Sequence, residues 1–185
     1  PGDKVQAVRE KSSEHLQQRV GMVRPAWENS QKENLPLRYR WKDIEPQLRA
    51  LADQPGSPYD GVALEYVNPM TGGPTLPTLS CWIQLLRPGE HTKKHRHTSS
   101  TVYFVAGGEG TTIVGDKALE WTKNDCFAVP NWAWHEHVNR SKTEEALLFS
   151  VNDSPIVSAF GHYREEPEVS LRSMSIPAVP APPKN

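Results

Sequence analysis

The hydrophobic positions of the chain follow two rhythms, and the change falls near the loop DQPGSPYDG (53–61). Before it, apolar residues are sparse and spaced as in helices. Residues 4–20 (KVQAVREKSSEHLQQRV) are rich in helix formers but place only Val5, Val8, Leu16 and Val20 on a weak stripe. That pattern predicts a mobile helix that docks on a partner. From Gly21 to Pro36 proline, asparagine, tryptophan and charge take over, the composition of a linker or wrapping arm. Asp43 then stands as an N-cap before IEPQLRALA, with apolar positions at 44, 48 and 51 and Pro46 in the first turn, where a missing N–H costs little. A short helix is expected there.

After the loop, VALEYV (62–67), TLSCWIQLL (78–86), TVYFVAG (101–107), GTTIVG (110–115), CFAVP (126–130) and ALLFSVN (146–152) are short β-prone runs separated by Gly, Pro, Asn or Asp. Many short strands at close spacing predict an all-β barrel or sandwich, preceded by short helices. The end, IPAVPAPPKN (176–185), has four prolines in ten residues and cannot enter a central sheet. It reads as an arm lying across a neighbour. The expected organisation is an N-terminal helix and linker arm (1–40), a barrel (41–166) and a proline-rich tail (167–185), without internal repeats.

Composition narrows this further. The 185 residues suffice for one domain with a real core. Lys plus Arg total 21 against 22 Asp plus Glu, so no overall field favours nucleic acid or an acidic membrane surface. No run approaches the roughly 18 apolar residues of a membrane span, and no signal segment opens the chain, which predicts a soluble cytoplasmic protein. Cys81 and Cys126 lie in apolar runs outside any CxxC pattern and are expected as reduced, buried thiols, a single disulfide being the alternative. Pro1 in place of an initiator methionine points to a processed product or a piece of something longer. The apolar groups of both arms, with Trp27 and Trp41 as anchors, predict assembly to at least a dimer.

Five of the seven histidines fall between positions 91 and 137. His95 and His97, at i and i+2 in extended chain, point to one face. His135 lies about forty residues on, with His137 again at i+2. A lone histidine most often caps a loop or satisfies a core hydrogen bond. Two HxH pairs at strand edges favour a metal instead, because neutral imidazole is the commonest metal-ligating side chain and three leave open positions on the ion. Zinc accepts three histidines as well as iron does.

Gly89-EHTKK-His95-Arg-His97, followed by Gly108, resembles the first cupin motif. Asn124-DCFAV-Pro130-NWAW-His135-EHV-Asn139 resembles the second, with Asn124 and Trp132 where glycines are usual. The resemblance implies a double-stranded β-helix, or jelly-roll, barrel. The glutamate usual four residues after the second histidine is replaced by Thr101. This three-histidine variant resembles the gentisate 1,2-dioxygenase family with its salicylate and 1-hydroxy-2-naphthoate relatives. YVNPMTGGPTLPTL (66–79), HRHTSS (95–100), PNWAWHEH (130–137) and FSVNDSPIVSAFGHYREE (149–166) are further marks of it, over roughly residues 36–166. The NPxTGG segment resembles the C-terminal half of these two-barrel proteins, which often lacks the metal ligands that are all present here.

The resemblance implies Fe(II) on His95, His97 and His135, an aromatic hydroxy-acid and O₂ as substrates, and ring cleavage between the carbons bearing carboxyl and hydroxyl. It also implies Gln84 and His137 in the substrate pocket, with His137 as acid or base. Three neutral ligands leave the metal its full charge, which suits an anionic bidentate substrate. Where the family often has an arginine for the substrate carboxylate, this chain has Tyr103, a neutral donor, so weak binding or a broadened substrate choice is expected. Strand alternation places Tyr103 on the face of His95 and His97. Arg87, Lys93 and Lys94 are the nearby cations, and Trp82, Trp132 and Trp134 the candidate aromatic walls, Trp134 the first to contact substrate. The rival readings are a non-catalytic cupin half supporting a catalytic partner barrel, and a zinc cupin of isomerase or sensor type.

Overall fold

The computed structural model describes residues 37–168. The helix expected at 4–20, the anchor Trp27 and the proline-rich end lie outside the described residues.

Helix α1 covers Trp41–Ala50 and begins two residues before Asp43. Arg40, in extended conformation, occupies the N-cap position, and its Nε donates to Asp43 Oδ2 at 2.7 Å. Asp43 therefore sits in the first turn, where a carboxylate complements the helix dipole. Pro46 falls inside the helix instead of in its first turn. Leu48 is fully buried, and with Ile44 it packs the helix against Val62, Ile83 and Leu85.

Ten strands follow: β1 (Val62–Glu65), β2 (Ser80–Leu86), β3 (His95–His97), β4 (Thr101–Gly107), β5 (Glu109–Val114), β6 (Lys117–Thr122), β7 (Cys126–Val129), β8 (His135–Asn139), β9 (Ala146–Asn152) and β10 (Glu165–Pro167). They form two five-stranded antiparallel sheets, in the orders β1-β2-β9-β4-β7 and β10-β3-β8-β5-β6. A short helix α2 (Ser154–Ala159), which no pattern in the sequence announced, links β9 to β10. This is the all-β jelly-roll of the cupin fold.

Inside and outside alternate as the period of two demands. On β4, Thr101, Tyr103 and Val105 are buried while Val102 and Phe104 are exposed. On β2 both faces are covered, because α1 packs on Ile83 and Leu85 while Gln84 and Leu86 turn inward. The inner core gathers Leu86, Tyr103, Val105, Trp121, Val129, Ala146 and Leu148. Gly110 on β5 is required by that packing, since a Cβ there would stand 2.3 Å from the Trp121 ring and 2.2 Å from Val138 O.

Among the described residues, two that are not glycine hold left-handed backbone, Asn124 (φ 77°) and Trp132 (φ 59°). They occupy the two motif positions where glycine is usual, so the turns keep their geometry without the residue that adopts it most easily. The cysteines depart from expectation. Both are free, but only Cys81 is half-buried, whereas Cys126 is exposed because it starts edge strand β7 on its outward face. No helix among the described residues is long and apolar enough to cross a membrane.

Candidate metal centre

β3 and β8 are antiparallel neighbours with His95 opposite His135, and His97 follows two residues along on the same strand. One ligating nitrogen from each of the three lies within 4.8 Å of the others. His95 and His135 are buried, and His97 is partly open.

The surroundings decide which nitrogen each ring presents. His97 Nδ1 lies 2.8 Å from Ser99 O, and His135 Nδ1 lies 2.9 Å from Ala133 O. A carbonyl only accepts, so both Nδ1 atoms carry the proton and both Nε2 lone pairs are free. His135 Nε2 is buried without any partner, as is His95 Nδ1. Burial, and then the neighbouring His95, holds His135 down at about 3, and burial likewise lowers His95. Three converging imidazoles, two of them with a buried nitrogen left without a partner among the described residues, fit a divalent cation, since each such atom is costly to bury unpaired.

Beside the triad lies a cavity of about 110 Å³ between the two sheets. An apolar cavity of ~150 Å³ holds benzene, so the space is somewhat smaller than a single-ring cavity. Its walls are Trp82 and Gln84 from β2, Thr101 and Tyr103 from β4, and Ser150 and Asn152 from β9. Asp60, Tyr163 and Glu165 close it from the loop before β1 and from the region of β10.

Of the residues expected at the site, the structure brings His95, His97, His135, Gln84 and Tyr103 together around this cavity. Tyr103 faces inward, stacked on Phe127 at 4.9 Å and edge-on to His137 at 5.0 Å. The alternation that was expected to carry it there does not run through from His97, because Thr98–Ser100 break the strand and β3 and β4 belong to different sheets. Burial pushes its phenol well above the ordinary value, so it remains a neutral donor.

His137 is fully buried and does not line the cavity. Its Nδ1 lies 2.8 Å from Thr112 Oγ1, which accepts from Trp121 Nε1 at 2.9 Å, and its Nε2 has no partner. Burial lowers its pKa well below the ordinary value, so it is a neutral ring. Asn139 is engaged elsewhere, donating to Leu86, Arg87 and Glu144 carbonyls at 2.8–3.1 Å.

Trp134 is a correction: it is not part of the cavity wall, because with Trp132 it sandwiches the Arg96 guanidinium at 4.4 and 4.2 Å. Nor do the nearby cations reach the cavity. Arg87 is held by Glu90, Ala52 O and Gln54 O, Lys93 is exposed, and Lys94 faces Glu136 and Glu168. Sequence reasoning missed Asp60, Ser99, Tyr163 and Glu165. Ser99 and the pair Tyr163 and Glu165 lay in the family marks HRHTSS and the closing stretch, but Asp60 carried no signal beyond a turn.

A family model described as "Cupin domain" matches residues 82–152. Fold and site together give the chain the cupin jelly-roll with three histidines placed where they could hold a metal ion. Within that superfamily it resembles the gentisate, salicylate and 1-hydroxy-2-naphthoate dioxygenases. It is 42% identical over 184 residues to a 1-hydroxy-2-naphthoate 1,2-dioxygenase of Nocardioides sp. (strain KP7), covering 100% of this chain and 48% of that protein. It is 46% identical over 169 residues to a 5-aminosalicylate 1,2-dioxygenase of Comamonas sp., covering 90% and 44%. Among solved structures, the salicylate 1,2-dioxygenase of Pseudaminobacter salicylatoxidans superposes with a TM-score of 0.64 at 33% identity, over 70% of this chain and 38% of that one. The chain thus spans about half the length of the curated relatives it matches.

Proposed function

We propose that the chain holds Fe(II) on His95, His97 and His135 and carries out the O₂-dependent ring cleavage of a gentisate-like aromatic hydroxy-acid. Both oxygen atoms enter between the carbons that bear carboxyl and hydroxyl. The observation that carries this reading is the convergence of three imidazole nitrogens within 4.8 Å beside a cavity of about 110 Å³ between the sheets. Kinship with proteins named for this chemistry supports it.

Bound there, Fe(II) would supply open positions for a chelating hydroxy-acid and for O₂, without a carboxylate ligand to offset its charge. The chain's own residues bind and orient. Tyr103 offers its protonated hydroxyl to the substrate carboxylate in place of an arginine, and Gln84 faces the ring from β2. His137, expected as acid or base, is instead a fully buried neutral ring held by Thr112 behind the triad and outside the cavity, where its role is to back the triad's rings. The protein acts in the cytoplasm as a homo-oligomer or beside a second cupin barrel.

A second reading is favoured by the length ratio: a half-protein that supports a catalytic partner barrel. Metal analysis and an oxygen electrode separate the readings. The chain, loaded anaerobically with Fe(II), should bind about one iron and consume O₂ with gentisate, salicylate, 5-aminosalicylate or 1-hydroxy-2-naphthoate. His135→Ala should lose both iron and uptake, while His137→Ala should keep the iron. Full metal in His135→Ala refutes the ligand set. Iron without uptake supports the partner-barrel reading, and a preference for zinc supports an isomerase or sensor.

A further inference from the structure

Among the described residues the cavity is lined by two carboxylates, Asp60 and Glu165, and by no lysine or arginine. Within it, Gln84 is 97% buried by side-chain and backbone neighbours, being 3% exposed, and its Oε1 has no hydrogen-bond partner. The orientation of that amide is not arbitrary. Gln84 Nε2 lies 3.4 Å from both Asp60 O and Asp60 Oδ1, and both are pure acceptors. Turning the amide over would set oxygen against oxygen, so Oε1 is the end left free. The Asp60 carboxylate is itself under-used: Oδ2 accepts from Ser57 Oγ at 2.8 Å, but Oδ1 has only the long 3.4 Å contact from Gln84. Its charge is felt at His95, Tyr103 and Tyr163, which places it among the groups that surround the cavity.

We propose that Asp60 and Gln84 form a specificity subsite for a hydrogen-bond-donating substituent on the substrate ring, best filled by an amine. The proposal rests on the ring-cleavage reading, in which the hydroxy-acid is held at the triad through its carboxyl and hydroxyl. Two neighbouring acceptors, one of them charged, call for two donors. A ring amine carries two N–H bonds and can satisfy Gln84 Oε1 and Asp60 Oδ1 together, whereas a hydroxyl carries one and satisfies a single acceptor. A ring hydrogen leaves both unpaired. A nitro group or second carboxylate presents oxygen to oxygen, and no lysine or arginine among the described lining residues offsets the repulsion. Binding should therefore fall in the order amino, hydroxyl, hydrogen, nitro. A site built to hydrogen-bond a group discriminates strongly against analogues that lack it, because its buried acceptors go unpaired.

Anaerobic calorimetry of the Fe(II)-loaded chain tests this without turnover, using salicylate and its 5-amino, 5-hydroxy and 5-nitro derivatives. The amine should bind roughly tenfold more tightly than salicylate, the hydroxyl derivative between them, and the nitro compound most weakly. Asp60→Asn and Gln84→Met should each bring the amine to within about threefold of salicylate, the ratio of the two affinities being the readout. The wild-type ranking needs no variant, so it decides the matter even where a substitution unfolds the chain. A flat ranking, or a variant that weakens all four acids equally, overturns the subsite while the chelation reading stands. Failure of every acid, salicylate included, to bind the iron-loaded chain overturns both.

Discussion

Along β2, β4 and β9 the inward positions at one end of the barrel are Leu86, Val105 and Leu148, and those at the other are Trp82, Tyr103 and Ser150, though the strands and their pairing are continuous. Tyr103 stands opposite Ser150 and Val105 opposite Leu148, so two residues of travel convert a dry core into a polar cavity. The apolar end is filled: Trp121 presses on Gly110, and Val129 and Ala146 close the remaining space. The polar end keeps its buried histidine nitrogens and Gln84 Oε1 unpartnered. The difference teaches that one end holds the sheets together, and that this stability supports unpaired polar atoms where a ligand is to enter.

The largest expected effect breaks the comparison by cutting the filled end. Leu148 is wholly buried, and Leu148→Ala should cost about 2–5 kcal/mol through lost transfer energy and the cavity left behind. Ser150, two residues along on the same face, has no such packing role, and Ser150→Ala should cost less than about 1 kcal/mol. Urea unfolding of both variants checks this. Equal losses would show that the cavity end is as much a structural core as the other.

Acid should act on the polar end alone. His135 is held near 3 in the folded chain against about 6.5 when exposed, and His95 and His137 are lowered too. Between pH 6.5 and 3 the unfolded chain binds a proton at His135 that the folded chain refuses, so stability falls as pH falls through that window. The slope is about 1.4 kcal/mol per pH unit for each histidine so shifted. In chelator-treated protein the urea midpoint should drop between pH 7 and pH 5, and iron-loaded protein should release metal over the same range. A midpoint that does not move would mean that these rings are hydrated and not buried neutral.

What the sequence disclosed follows the same division. Six β-prone runs stood out because alternation of apolar and polar residues is a local property, and six of the ten strands coincide with them. β3, β6, β8 and β10 did not, since HRH, KALEWT, HEHVN and EEP are too short or too charged to look like core. The convergence of the three histidines was legible for a related reason: HxH on one strand fixes two side chains on one face, and a second such pair supplies the third imidazole. Asp60 and Glu165 were not, because they reach the cavity from a loop and from an exposed edge strand by tertiary packing that no spacing encodes. Trp134 was misplaced because an aromatic beside a ligand histidine reads as a pocket wall, whereas alternation from His135 turns it outward to Arg96.

The smallest effect sharpens the comparison at the turn between β7 and β8, next to the histidine triad. Trp132 holds left-handed backbone, which costs an ordinary residue roughly 1–2 kcal/mol, and its N–H donates to His97 O at 2.7 Å. Its ring faces the Arg96 guanidinium at 4.2 Å, and such a contact contributes about 0.5–1 kcal/mol at a partly exposed site. Trp132→Gly removes both the strain and the stack, so the two changes nearly cancel and thermal unfolding should shift by only a few degrees. Trp132→Ala removes the stack but keeps the strained conformation, and should be less stable than Trp132→Gly by about 1 kcal/mol. Both turns should still present His97 and His135 to a metal, because the N–H that ties the turn to His97 is retained. If alanine proves as stable as glycine, Trp132 is unstrained, and the polar end stores its cost in the unpaired nitrogens alone.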